Sequence, residues 1–194
     1  MLNSIQRLQT PDPRSVRTGF DQRSHLGRNQ KKTKDTMDEK DRAGYLKKAR
    51  VIADYQFGRG AGAALFPHTV EFIFSRTRRI AQIKDGGRRI ATLRSLDGLF
   101  TLGREGARRL HQVLPYPQLR VVMNEESGEF VQTGGTAFCK HVVDADPGIR
   151  AYDEVLVVDE QDRLLATGRA MLTREEMRCF QHGVAVKVRY GTMK

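Results

Sequence analysis

The chain has 194 residues, 39% of them hydrophobic and 7% aromatic, with no Trp and a formal net charge of +11. No run approaches the ~20 apolar residues that a membrane-spanning helix needs, and the first ten residues lack the apolar core of a secretory signal. Two cysteines, Cys139 and Cys179, make no disulfide framework, so a reducing, cytoplasmic setting without a membrane is expected. The charge points to a polyanionic partner, nucleic acid first, and it is unevenly spread. Residues 1–40 carry a net +4, residues 41–118 carry 15 basic against 6 acidic side chains for a net +9, and residues 119–194 carry a net −2.

Residues 1–40 mix Pro11, Pro13, Gly19 and Gly27 with polar and charged residues, and their apolar residues follow neither a 2.0 nor a 3.6 period. Such a segment buries too little to offset its ordering entropy. It is expected to be a disordered basic tail, either a solvated arm or one that folds against RNA. A helix is predicted from about Asp41 to Phe57, with Leu46, Ala49, Ile52, Ala53 and Phe57 inward and Lys47, Lys48 and Arg50 mostly outside. Gly58, Gly60 and Gly62 then break it.

Short strands follow at Val70–Ser75, Arg79–Lys84 and Arg89–Arg94. Asp85-Gly86-Gly87 makes the tight turn between the last two, because φ > 0 positions suit glycine. Asp97-Gly98 turns into Leu99–Leu102, and Glu105–Val113 reads as a helix with Ala107, Leu110 and Val113 inward. Leu114-Pro115-Tyr116-Pro117 ends it and marks a boundary.

Beyond residue 118 the chain is β-rich. Strands are predicted at Arg120–Met123, Thr136–Val143, Glu154–Val158, Leu164–Met171 and Val184–Arg189. A short helix is expected at Glu125–Gln132, and a capping box at Thr173-Arg174-Glu175-Glu176. Many short strands with regular turns indicate a small closed barrel. The fold class is therefore α+β: a small mixed α/β domain over 41–118, then a β-barrel over 119–194.

Several stretches in the last segment resemble a PUA domain, an RNA-binding module of pseudouridine synthases and archaeosine transglycosylases. They are Gly134-Gly135-Thr136-Ala137-Phe138-Cys139-Lys140, Ala151 to Asp159, Leu165-Ala166-Thr167-Gly168-Arg169-Ala170 and Gly183 to Arg189. The preceding segment is similar to the region before the PUA domain in archaeosine tRNA-guanine transglycosylases. Ile52 to Gly58, Gly60-Ala61-Gly62, Leu65-Phe66-Pro67, Ala91 to Arg94, Asp97-Gly98, Phe100-Thr101-Leu102 and Gly106-Ala107 carry that likeness. The resemblance covers about residues 45–191 and implies tRNA binding. Family enzymes add a large barrel with catalytic aspartates and a Cys/His zinc site. Nothing upstream of residue 45 fits such a barrel, and the two cysteines lack zinc-ligand spacing. The resemblance thus implies an accessory module that docks tRNA for archaeosine-type modification by a separate catalytic, transglycosylase-type chain. A standalone RNA binder in translation or ribosome function and an enzyme acting on tRNA by itself are the other readings. No catalytic residue, metal ligand or cofactor is assigned.

Guanidinium forks suit phosphate oxygens, so Arg76, Arg78, Arg79, Arg88, Arg89 and Arg94 around the hairpin are candidate RNA contacts, together with Lys84. The bland alternative is that they charge an exposed sheet edge. Arg104, Arg108 and Arg109 on the following helix extend the patch. Arg59 is a contact candidate; its flanking glycines are read first as a helix terminator that lets two backbones approach and second as a backbone nest for phosphate. In the barrel, Gly134 and Gly135 let a backbone approach closely, and Lys140 and Arg169 are the charged candidates. Phe138, Tyr152 and Phe180 are expected in the core, the histidines at surface or core without a metal, and both cysteines as small hydrophobes. Asp54 is read as a structural residue at a helix end.

Overall fold

A computed structural model describes residues 38–193, so all but the last three residues of the basic tail lie outside the described chain. Helix α1 runs Glu39–Phe57, two residues earlier than its sequence signal, because Glu39 and Asp41 both suit the positive end of its first turn. It buries Leu46, Ala49, Ala53 and Phe57 at spacings of three and four. Gly58 ends it at φ 104. The glycine run is more than a break. Asp54 accepts hydrogen bonds from the amides of Gly60 (3.0 Å) and Gly62 (2.7 Å). That carboxylate starts the five-residue helix α2, Ala61–Leu65, and confirms Asp54 as structural.

Four antiparallel strands then form a meander: β1 (Glu71–Phe74), β2 (Ile80–Asp85), β3 (Arg88–Leu93) and β4 (Phe100–Leu102). Gly86 and Gly87, at φ 53 and 76, make the β2–β3 turn. Helix α3 (Arg104–Val113) lies across β3, with Gly106 directly over the Ile90 carbonyl where a Cβ would clash. Phe57, Leu65, Phe66, Ile83, Ile90, Phe100, Leu102 and Leu110 fill this core. Val113, expected inward, is 53% exposed, because the chain leaves the helix there and Leu114 takes the buried position.

The second sheet has the order β6-β10-β9-β8-β5-β7. Its strands are β5 (Arg120–Met123), β6 (Ala137–Phe138), β7 (Val142–Ala145), β8 (Glu154–Asp159), β9 (Leu164–Ala170) and β10 (Val184–Gly191). Helix α4 (Glu125–Gln132) follows β5, and α5 (Arg174–Cys179) opens with the expected capping box on Thr173. The strand anticipated at Thr136–Val143 is split. Ala137–Phe138 pairs with β10, a single 3₁₀ turn at Cys139–His141 intervenes, and Val142–Ala145 pairs with β5. Three residues thus join the two outermost strands of the sheet, which requires the sheet to curl into a nearly closed barrel. Val121, Met123, Val131, Val155, Val157, Leu165, Met177 and Val186 fill it.

The two sheets belong to one unit. Leu156 of β8 is buried in the first core, and the Leu102 amide donates to Glu154 of β8 at 3.0 Å. Between the sheets sits Arg120, 1% exposed. Its guanidinium donates to the carbonyls of Gln118 (2.9 Å) and His111 (2.9 Å) and to Asp162 (3.2 Å), tying helix end, linker and β8–β9 turn together.

Candidate nucleic-acid interface

The site at the open end of the barrel is assembled by α4 and the split strand. The Asn124 side chain caps α4 by accepting from the Ser127 amide. With Ser127 and Val131 buried, Phe130 turns outward. Gly134 reverses the chain at φ 96, and Gly135 lies flat against the Phe130 ring, where a Cβ would stand 2.2 Å from a ring carbon. These two glycines therefore fix an exposed aromatic. On β6 the residues alternate, Ala137 inward and Phe138 outward. Phe130, Phe138, Lys140, His141 and the Gln181–Gly183 turn line a cleft of about 550 Å³. His141 Nδ1 is buried without a hydrogen-bond partner among the described residues, 3.6 Å from a Glu126 carboxylate oxygen.

This corrects the assignment of aromatics to the core. Phe138 is 40% exposed, Phe180 47% and Tyr152 59%. The barrel interior is filled by aliphatic side chains, Met123, Met177 and Cys139, and these three rings lie outside it. Cys139 is buried, and burial pushes its thiol pKa up, whereas Cys179 is exposed.

The arginines of the first sheet are not brought together. Arg76, Arg78 and Arg79 occupy the β1–β2 turn, all exposed, with Arg78 at φ 57. None of the three forms an ion pair among the described residues. Arg88 lies at the opposite end of β2, six residues or about 20 Å away. There the charges are answered. Glu105 meets Arg108 (2.7 Å) and Arg109 (3.1 Å) and stands 3.8 Å from Arg88. Asp85 binds Arg109 at 2.7 Å. Hydrogen bonds from Arg108 and from Arg109 hold the Glu105 and Asp85 carboxyls, respectively, below their ordinary range. Arg94 is taken up by Asp97 at 2.9 Å. Lys84 is half-buried, and Arg59 is exposed between Gly58 and Gly60.

A further basic group lies where the sheets meet, and sequence reasoning found only part of it. Arg169 stands opposite Lys187 across β9 and β10. Arg189 binds Glu154 at 2.9 Å. Burial outweighs the pull of Arg189 and pushes the Glu154 pKa up to about 7. Arg89 and Arg104 both stack near Tyr190, with guanidinium carbons 4.8 Å and 5.7 Å from the ring centre. Tyr190 and Arg189 carried no usable sequence signal, because their partners come from elements 35 or more positions away. Among the described residues no three His, Cys, Asp or Glu side chains converge as a metal-binding group, and no helix is long and apolar enough to cross a membrane.

Comparison with known proteins agrees with this architecture. Residues 47–117 match the patch-forming domain C2 of tRNA-guanine transglycosylase, and residues 119–192 match the PUA domain. The chain is a PUA-domain protein. Its C2–PUA pair resembles the C-terminal region of archaeal tRNA-guanine(15) transglycosylases. It is 49% identical to that of Thermococcus kodakarensis over 159 residues, which is 82% of this chain and 27% of the relative. To that of Pyrococcus abyssi it is 54% identical over 140 residues, 72% of this chain and 24% of the relative. The chain thus spans about a quarter of the length of the curated relatives it matches. Among solved structures, a hypothetical protein of Pyrococcus horikoshii superposes with a TM-score of 0.60 at 23% identity, covering 77% of this chain and 90% of that one. A PUA domain protein from Thermoplasma acidophilum gives 0.53 at 18% identity, covering 75% and 89%. Both share the fold.

Proposed function

We propose that this protein is an RNA-binding module that docks tRNA, in the cytoplasm, for modification by a separate transglycosylase-type catalytic chain. The observation that carries the reading is the barrel-end cleft. It presents two exposed phenyl rings, an exposed lysine and histidines around space for a nucleotide. Rings give stacking faces to unpaired bases, and Lys140 supplies a charge for phosphate. The exposed arginines of the β1–β2 turn then hold the backbone of a folded RNA, whose helices are read by shape and phosphate rather than by base edges. The accessory role is supported by the relatives, because the matched quarter of each is its C2–PUA end. In this role the chain performs no chemistry. It orients the RNA so that the catalytic chain meets the target base.

The test is a titration of the full chain with tRNA, intact or trimmed of its unpaired 3′ nucleotides. The intact RNA is expected to bind about tenfold more tightly. Phe138→Ala with Lys140→Gln should abolish that preference while leaving thermal unfolding unchanged. Equal binding of the two RNAs by the wild type would remove the cleft from the reading.

A further inference from the structure

We infer that the second half of β10 is the spine of a second RNA-backbone site, a basic seam where the two sheets meet, separate from the barrel-end cleft. The inference rests on the RNA-binding reading above and extends it to where the backbone runs.

β10 begins at the cleft, where Val184 pairs with Phe138, and ends at Gly191 beside the first sheet. Along its second half it gathers basic side chains from four elements. Lys187, exposed, faces Arg169 of β9, which in turn faces Glu154 of β8. Arg189 follows. Tyr190 then receives Arg89 of β3 and Arg104 of α3 against its ring, and the Arg89 guanidinium donates to its hydroxyl. Arg104 is fixed by donating to the Gly191 carbonyl at 2.8 Å.

Five cations thus line one strand, and Glu154 is the carboxylate set among them. Arg189 occupies it. Arg89, Arg104, Arg169 and Lys187 have no ion-pair partner among the described residues, in contrast to the arginines around Glu105. Gathering like charges in a partly buried seam is unfavourable unless an anion completes it. The Arg169 Nε is buried and has no hydrogen-bond partner among the described residues. Its guanidinium stands 5.9 Å from the ring of Tyr152, which a left-handed backbone at φ 75 turns into solvent. A guanidinium beside a free aromatic face matches a nucleotide, phosphate to the cation and base to the ring. An acidic protein would use the cations and leave the ring idle. At about 3.3 Å per residue, the seam lies roughly 10–20 Å along β10 from the cleft, within reach of one RNA strand seated in both.

The experiment uses the full chain and the same two tRNAs, intact and 3′-trimmed, titrated across a range of salt. Arg169→Gln with Lys187→Gln is expected to weaken both RNAs equally, by about tenfold at low salt. It should also lower the slope of log affinity against log salt by about 2, since each lost phosphate contact removes roughly 0.9. The preference for the intact end should persist. Lys187→Gln alone, on an exposed strand position that does not affect folding, should lower the slope by about 1. Wild-type affinity and slope in both variants, with Phe138→Ala plus Lys140→Gln still erasing the 3′-end preference, would overturn the seam and leave the RNA reading standing. Failure of the wild type to bind either RNA would overturn both.

Discussion

The two ends of the first sheet are equally rich in arginine and differ in what the arginines face. At the β1–β2 turn, Arg76, Arg78 and Arg79 project from a tight reversal with no carboxylate partner among the described residues. At the β2–β3 end, Glu105 and Asp85 engage Arg108 and Arg109 and approach Arg88. Charge density along the chain is the same in both places, but charge available to a ligand is not. Arginines already answered by the protein hold the fold together. Unanswered ones are free to meet phosphate.

That division predicts opposite outcomes for the two classes. The largest effect belongs to the most completely answered arginine. Arg120→Ala should cost about 4 kcal/mol of stability, because it empties a nearly fully buried guanidinium site and strands the part-buried carbonyls of His111 and Gln118 and the Asp162 carboxylate that it binds. Chemical denaturation reads this directly, and a loss below about 1 kcal/mol would break the distinction. Next comes the carboxylate counterpart. Glu154 binds its proton more tightly in the fold, at about 7, than the ordinary 4.5 of an unfolded chain. Its contribution is therefore fully present below about pH 4.5 and is lost as pH rises through about 7, a decline of about 3 kcal/mol. Glu154→Gln should flatten that stretch of the stability-versus-pH curve; an unchanged slope would mean that the carboxylate is not held in a dry site.

The unanswered class should behave in reverse. Changing Arg76, Arg78 and Arg79 together to Gln is expected to leave unfolding unchanged and to weaken tRNA binding about thirtyfold at low salt, about 2 kcal/mol. The smallest effect is expected from Arg108→Gln. Its guanidinium is held by Glu105, so tRNA affinity should stay within about twofold. If Arg108→Gln weakened RNA as much as the triple change, Glu105 would be presenting that arginine to RNA and not withholding it.

Much of this architecture was legible from local pattern. Arg120–Met123 and Glu125–Gln132 occur within the expected bounds, since each rests on a period that four to eight residues declare by themselves. The likeness to C2 and PUA segments was legible too, because its glycines and β-branched runs lie close together in the chain. Other features depend on distant partners. The break in Thr136–Val143 arises because Phe138 and Val142 pair with opposite edges of a curled sheet, and nothing local marks Cys139 as the crossover. Phe138 and Tyr152 were expected inside on hydrophobicity alone, but Phe138 takes the outward position of β6 and Tyr152 sits at a left-handed turn. Which arginines are free depends on where Glu105 and Asp85 land. The seam along β10 depends on Arg89 and Arg104 meeting Tyr190, with Arg89 101 positions away in the chain.

The central claim is that this basic surface is shaped for folded RNA and is not a general polyanion binder. It is tested most directly by titrating the full chain with tRNA and with duplex DNA of matched charge at two salt concentrations. The account predicts tighter binding of tRNA at both, with the gap widening at higher salt as the nonspecific phosphate contribution fades. Equal affinity for the two at both salts would contradict it.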